Sequence, residues 1–339
     1  MSPSLLRLLR VPSPLWAGFR GKWAAPSPLV FSKWAAIIKP ANFSPIPPFR
    51  RPSGRMPRVL ITGATDGIGR EAALRMAAAD NQITISGRDP GKAEEVIRQC
   101  QKQFNNTPQF IQTDLSSDAE VVKFAKQVAE EQFDICILNA GIMMPKNART
   151  IEDREATIMT NLISSYMIAH KILESRRDEQ HPLHFVFSTS ILVKFHCATP
   201  IGPRFFNPKK VSDWQKALEP AAVSGAGKYA ISKIGLATLS SSISFADYPN
   251  VTATSVHPGT VYTNIMSNLP ARQKLYIRLA RPFITSLADA GENLVRAAEC
   301  PLPGGMFYQT RDVAKLPEMV YAEKTLAAFD EVFQQFKIR

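Results

Sequence analysis

"LITGATDGIGREAALRMAAAD", residues 60–80, is the stretch on which the reading of this chain turns. An apolar run ends at Gly63, and Gly67 and Gly69 follow at the start of "GIGREAALRMAAA", a segment rich in helix formers. A strand that stops at glycines and gives way to a helix gathers free backbone N–H groups and the positive end of the helix dipole in one place, where a pyrophosphate can sit. Gly63, Thr65, Asp66, Gly67, Ile68 and Gly69 are therefore candidate cofactor contacts. The spacing is G-x-x-x-G-x-G and departs from the general dinucleotide pattern G-x-G-x-x-G. On its own the cluster reads equally well as punctuation between a strand and a helix.

Outward from this stretch, short β-branched runs alternate with helical patterns. The runs are "RVLITG", "QITISG", "PQFIQTD", "FDICILNAG", "LHFVFST", "VTATSVHPG" and "GGMFYQT". Apolar runs separated by helix-length segments predict a parallel sheet covered on both faces. The expected fold is a single α/β domain over residues 56–339, a Rossmann-type doubly wound sheet of about seven strands. Helices are expected to begin near Ile68, Lys92, Asp118, Ile151, Gly227, Ala288 and Tyr321. The pattern breaks between Thr189 and Tyr229 and again from Tyr262 to about Pro282. Irregular stretches of that length inside a compact domain are usually lids or binding loops.

The chain has 339 residues and a formal charge of +12. Nine basic residues and no acidic one fall in residues 1–55, so the remainder carries 32 basic against 29 acidic residues. That remainder is nearly neutral and has no basic stripe of the kind nucleic acid requires. The first 55 residues also hold ten of the 26 prolines. This composition fits a removable targeting extension, with a mitochondrial address favoured, or a disordered basic arm at a membrane surface. Cys100, Cys136, Cys197 and Cys300 stand far apart, with no metal or redox spacing, and Cys136 reads as core. His181 and His184 are the closest histidine pair and read as solvated in a polar connection, not as metal ligands.

Three more signals follow the glycines in order: "NAG" at Asn139, Ala140 and Gly141; Tyr229-x-x-x-Lys233 in "YAISK"; and "HPGTVYT" from His257 to Thr263. Together, T-G-x-x-x-G-I-G, N-A-G, Y-x-x-x-K and P-G resemble the short-chain dehydrogenase/reductase family over about residues 57–315. "LNAGIMM" and the long gap before Tyr229 look most like its retinol-dehydrogenase-like, lipid-carbonyl branch. The resemblance implies hydride transfer between a nicotinamide and a carbonyl or alcohol.

Residues at i and i+4 share a helix face, which brings the Lys233 ammonium near the Tyr229 phenol. A nearby cation favours phenolate, so Tyr229 is expected to have a lowered pKa and to act as general acid or base. The resemblance makes Tyr229 the catalytic proton carrier and gives Lys233 the nicotinamide ribose as well. A hydroxyl is needed for the substrate oxygen, and "FVFSTS" offers two. The family register points to Thr189 and residue type, slightly favoured, to Ser190. Asn161 interrupts an apolar helical run; it either makes a local helix-bend bond or, as the resemblance implies, binds water in a proton relay toward the lysine. Asp114, with Leu115 beside it in "TDL", resembles the adenine-contacting position, although Asp114 could simply cap a turn. Pro258, Gly259, Thr260 and Thr263 resemble the loop bordering the nicotinamide.

Cofactor choice is read after the second strand, where an acid accepts the ribose hydroxyls of NAD and a base pairs with the 2′-phosphate of NADP. "TISGRDP" places Gly87 where the acid would stand and Arg88 next to it, with Asp89 starting the next helix. NADP(H) is expected, with Arg70 a weaker helper. No P-loop, G-x-S-x-G or H-E-x-x-H pattern competes. The rival reading is a non-catalytic NADPH-binding sensor or assembly subunit on the same fold. Phe195, Phe205, Phe206, Trp214, Ile265, Met266 and Leu269 either line an apolar pocket for a retinoid, steroid or fatty aldehyde or pack a lid onto the core. The family often forms homodimers through helices corresponding to 151–175 and 227–247.

Overall fold

The computed structural model describes residues 55–143, 149–176, 180–198, 202–220, 225–246, 248–261 and 284–338. The expected N-terminal extension up to residue 54, and Thr263, Ile265, Met266 and Leu269, lie outside them. Arg55, counted above with the extension, belongs to the fold: its guanidinium donates to both carboxylate oxygens of the fully buried Asp134 at 2.8 Å.

The chain alternates strands and helices as the runs predict. In order come β1 (Arg58–Thr62), α1 (Gly67–Ala78), β2 (Gln82–Gly87), α2 (Pro90–Phe104), β3 (Gln109–Gln112), α3 (Asp118–Ala129) and β4 (Ile135–Leu138). Next, α4 (Ala156–Ile158) runs through a π-helical turn, Met159–Ile163, into α5 (Ser164–Glu174). Then come β5 (Leu183–Ser188), α6 (Leu192–Ala198), α7 (Gly202–Phe205), α8 (Val211–Leu218), α9 (Gly225–Phe245) and β6 (Val251–His257). The last elements are α10 (Leu287–Glu299), β7 (Met306–Gln309), β8 (Asp312–Lys315), α11 (Glu318–Tyr321) and α12 (Glu323–Phe333).

The sheet has eight strands in the order β3-β2-β1-β4-β5-β6-β7-β8, one more than expected. The added strand, β8, pairs antiparallel with β7. It is four residues long, DVAK, with one buried side chain, so no apolar run marks it. The order reverses between β1 and β4, and in open α/β sheets the crevice at such a switch point, beyond the carboxyl ends of the strands, takes the ligand. Alternate side chains feed two cores. Leu138, Phe185, Phe187 and Phe307 face the layer holding α3, α5 and α9; Val59, Ile61, Val186 and Val256 face the layer of α1 and α10.

Local signals explain most helix starts. Asp89 accepts from the Lys92 amide and Ser117 from that of Glu120, each as an N-cap. The helix expected near Ile151 begins later, at Ala156, because Glu155 takes the capping position and accepts from the Ile158 amide at 2.7 Å; Ile151 itself is exposed. His184 is not solvated but a fully buried strand residue, its ring paired with Thr252 and the carbonyl of Ala297. Cys136 is core, as read.

Candidate active site

The glycine turn is built by close approach. A Cβ on Gly69 would stand 2.2 Å from the Gly63 carbonyl oxygen and 2.6 Å from Asn139 Nδ2, so only hydrogen fits there. Gly63 itself turns through φ +65°, a region that L side chains rarely adopt. Asn139 and Ala140 donate their backbone amides to the Thr62 hydroxyl at 3.1 and 3.2 Å, joining the carboxyl ends of β1 and β4. Asp66 caps α1, accepting from the Gly67 amide at 2.7 Å, and its other oxygen receives Lys92 Nζ at 2.6 Å. The amides of Ile68 and Gly69 follow at the positive end of the helix.

Asn161 lies in the π-helical turn and is completely buried. Its Oδ1 accepts from the Ile142 amide at 2.8 Å, and its Nδ2 donates to the Ile142 carbonyl and to Ser232 Oγ, each at 3.0 Å. Both groups of the side-chain amide are thus engaged within the fold, joining the turn after β4 to α9 rather than bonding within its own helix. The Ser232 hydroxyl passes its own proton to the Tyr229 carbonyl at 2.8 Å. Gly141 fits beside this group: a Cβ there would lie 3.2 Å from Asn161 Oδ1 and 3.6 Å from Lys233 Nζ.

Tyr229 and Lys233 do share one face of α9, with Nζ 5.5 Å from the ring centroid. Lys233 donates to the Ser188 carbonyl at 2.7 Å. The expected lowering of the phenol is not what this geometry gives. Burial pushes Tyr229 up to about 12 and Lys233 down to about 8, because each enclosed side chain disfavours its charged form. Of the two hydroxyl candidates, Ser190 is occupied locally, accepting from the Leu192 amide at 3.3 Å. Thr189 Oγ1 is buried with no hydrogen-bond partner. Thr189 also continues the alternation of Phe185 and Phe187, on the sheet face that α9 covers.

Past β2, a Cβ on Gly87 would fall 2.7 Å from Thr65, so the first turn rests on the end of the second strand and an acidic side chain at 87 has no room. Arg88 stands next to that contact, largely exposed, 3.9 Å from Asp114. Asp114 caps its own turn, accepting from the amide and hydroxyl of Ser116, and Leu115 packs into the core. Arg70 donates to its neighbour Glu71 and to Gln99 of α2. Pro258 and Thr260 are pinned through their carbonyls by Asn293 and the Thr285 amide, at 2.8 and 2.9 Å, with Gly259 between them.

Among its described residues, the stretch between Thr189 and Tyr229 holds α6, α7 and α8. Phe206 and Trp214 are buried in the core. They meet edge to face at 4.7 Å, and Trp214 packs on Phe329 and Phe333 of α12. Phe205 is 51% exposed. Thr62, Lys92, Ser232 and His257 belong to the site's surroundings and were not singled out from the sequence, since Thr, Ser and Lys at strand ends or in helices carry no distinctive spacing. Among the described residues no cluster of His, Cys, Asp and Glu could hold a metal, and no helix is long and apolar enough to cross a membrane.

The short chain dehydrogenase family model matches residues 57–194, which span the glycine turn, β4 and the end of β5. These residues belong to the short-chain dehydrogenase/reductase family. The chain is 28% identical to retinol dehydrogenase 12 of Mus musculus over 256 residues, 74% of this chain and 76% of that protein. It is 24% identical to polyprenol dehydrogenase of Homo sapiens over 238 residues, 68% of this chain and 69% of that protein. Its fold matches a short-chain dehydrogenase from Sphingobium yanoikuyae in complex with NADPH, with a TM-score of 0.55 and 20% identity, over 71% of this chain and 84% of that one. As a member of this family it is an NAD(P)-dependent oxidoreductase acting on CH–OH groups.

Proposed function

We propose that the protein is an NADPH-dependent reductase of lipophilic carbonyl compounds, of the retinoid, steroid or fatty aldehyde class. The observation that carries this reading is a pairing: the Tyr229 phenol, with Lys233 Nζ 5.5 Å from its ring, and an unpartnered, buried hydroxyl on Thr189, on the face of the sheet that α9 covers. When bound, NADPH supplies the hydride to the carbonyl carbon. Thr189 holds the carbonyl oxygen, and Tyr229 gives that oxygen its proton, leaving the alcohol. Lys233, anchored on Ser188, holds the ribose and keeps a positive charge beside the phenol as it loses its proton, which offsets part of the burial cost of the phenolate. Asn161 sets the distance between the β4 turn and α9. The relatives that act on retinol and polyprenol support a lipophilic substrate.

The residues of the first crevice fit such a dinucleotide. The turn of Gly63, Gly67 and Gly69 admits a pyrophosphate, Asn139, Ala140 and Gly141 border the switch point, and Pro258, Gly259 and Thr260 border the nicotinamide. Arg88 supports NADPH over NADH, since it is exposed beside Gly87 where NAD-binding sites place an acid. Residues 1–54 are read as a mitochondrial targeting segment on composition alone.

Fluorescence titration of NADPH and NADH, with Arg88→Ala alongside, tests this reading. Tighter NADPH binding that Arg88→Ala weakens by about tenfold, the loss of one charge-assisted contact, is expected. NADPH binding without turnover of any lipophilic aldehyde or ketone would favour the sensor reading; failure to bind either nucleotide would remove both.

A further inference from the structure

In the ladder between β5 and β6, Ser188 lies opposite Val256, and the Thr189 amide donates to the Val256 carbonyl at 2.7 Å. One step on, Thr189 stands beside His257, and His257 lies opposite Gln309 of β7. Side chains alternate along each strand, and Phe187, Ala253 and Phe307 belong to the core beneath α9. Thr189, Ser255, His257 and Gln309 therefore stand on the face of the sheet that carries Tyr229 and Lys233. Three of them form a row across the carboxyl ends of three adjacent strands.

These side chains are nine-tenths buried or more: Thr189 is 4% exposed, Ser255 0%, His257 7% and Gln309 9%. Thr189 Oγ1 and Ser255 Oγ have no hydrogen-bond partner. Among the described residues none bonds the His257 ring, and Gln309 uses only its Oε1, which accepts from Lys194 at 2.9 Å. That bond fixes the amide orientation and leaves Nε2 a free donor. Each buried polar group without a partner costs about 1–3 kcal/mol, and native proteins contain few of them. Thr189 Oγ1 and Ser255 Oγ are two such groups, and with the unbonded His257 ring and Gln309 Nε2 beside them at the ligand-binding edge of the sheet they are explained by a ligand that bonds them.

We propose that Thr189, His257 and Gln309 form a polar shelf for two oxygens of one substrate, so that the preferred substrate is a lipophilic carbonyl compound bearing a second carbonyl or hydroxyl. Neighbouring strands lie about 4.8 Å apart, so an oxygen between His257 and Gln309 stands about 7 Å or less from one on Thr189. Burial and the charge of Lys233 hold His257 down at about 4, so the ring is neutral and offers one donor and one acceptor. The shelf rests on the reductase reading, with Thr189 taking the reacting oxygen and His257 and Gln309 the second.

The test uses the full chain, NADPH, and two probes that differ only in the second carbonyl, undecan-2-one and undecane-2,5-dione. Wild type is expected to favour the dione by about tenfold in kcat/KM, and His257→Leu and Gln309→Glu each to bring that ratio toward one. Gln309→Glu removes the amide donor and keeps an oxygen for Lys194, whose ammonium pairs with the new carboxylate, so it reads the shelf even where His257→Leu folds poorly. Equal kcat/KM for the two probes in wild type would overturn the proposal. So would a rise in the NADPH Kd of the variants that matches their loss of activity, since the shelf would then belong to the cofactor. Should wild type bind NADPH and reduce neither ketone, the reductase reading fails by itself, and titration of both ketones into the NADPH complex decides the shelf. Tighter binding of the dione, lost in Gln309→Glu, supports it; equal or absent binding overturns it.

Discussion

Lys233 Nζ donates to the carbonyl oxygen of Ser188 at 2.7 Å, tying the middle of α9 to the last residue of β5. The bond holds an ammonium inside the fold that burial would rather see neutral, with its pKa pushed down to about 8. A lysine lowered in the folded state binds fewer protons there than in the unfolded chain between pH 8 and 10.5. Stability therefore carries the full burial cost below pH 8 and gains as pH rises through that window, by at most ~3 kcal/mol for this one group. Urea midpoints measured from pH 7.5 to 9.5 should show this upward component in wild type and not in Lys233→Met.

Thr189 and Ser190 separate by mutation. Thr189→Val removes the only unoccupied hydroxyl of the pair and should lower kcat by about 100-fold, the scale of a lost oxyanion contact. Ser190→Ala loses a local cap to the Leu192 amide and should lower stability by ~1 kcal/mol with kcat within a few-fold. Steady-state kinetics and thermal melts of the two variants check this together.

Gly69→Ala forces a methyl against the Gly63 carbonyl, 2.2 Å away. The turn must open, at a cost of about 1–3 kcal/mol for an overpacked site. NADPH affinity should fall along with the melting temperature.

Trp214→Ala should destabilise the fold by about 3–5 kcal/mol, because the indole is fully buried against Phe206, Phe329 and Phe333. Phe205→Ala, at the exposed neighbour, should cost about 0.5 kcal/mol or less. Denaturant titration separates the two, and near-equal losses would contradict the packing described.

The strand runs were legible because parallel strands buried on both faces must be continuously apolar, and the glycines because close backbone approach admits no other residue. β8 was not legible, since one buried residue in four leaves no pattern. The stretch from Thr189 to Tyr229 misled for a related reason: α6 and α7 are seven and four residues long, too short to show a helical period. At the site, Tyr229, Lys233, Asn161 and the glycine turn were found by spacing. The choice between Thr189 and Ser190 needed strand register, and the row through His257 and Gln309 needed three strands side by side, which no local pattern encodes. The state of the Tyr229 phenol differs from the expectation because helical spacing brings Lys233 near without revealing how strongly burial disfavours the phenolate.

The most direct measurement is NADPH consumption by wild type and Tyr229→Phe against a panel of lipophilic aldehydes and ketones, with NADPH affinity measured for both proteins. The account predicts turnover in wild type, a fall of about 100-fold or more in kcat for Tyr229→Phe, and NADPH binding that survives the change. Equal turnover in the two proteins would contradict the assignment of Tyr229 as proton donor, and with it the central claim.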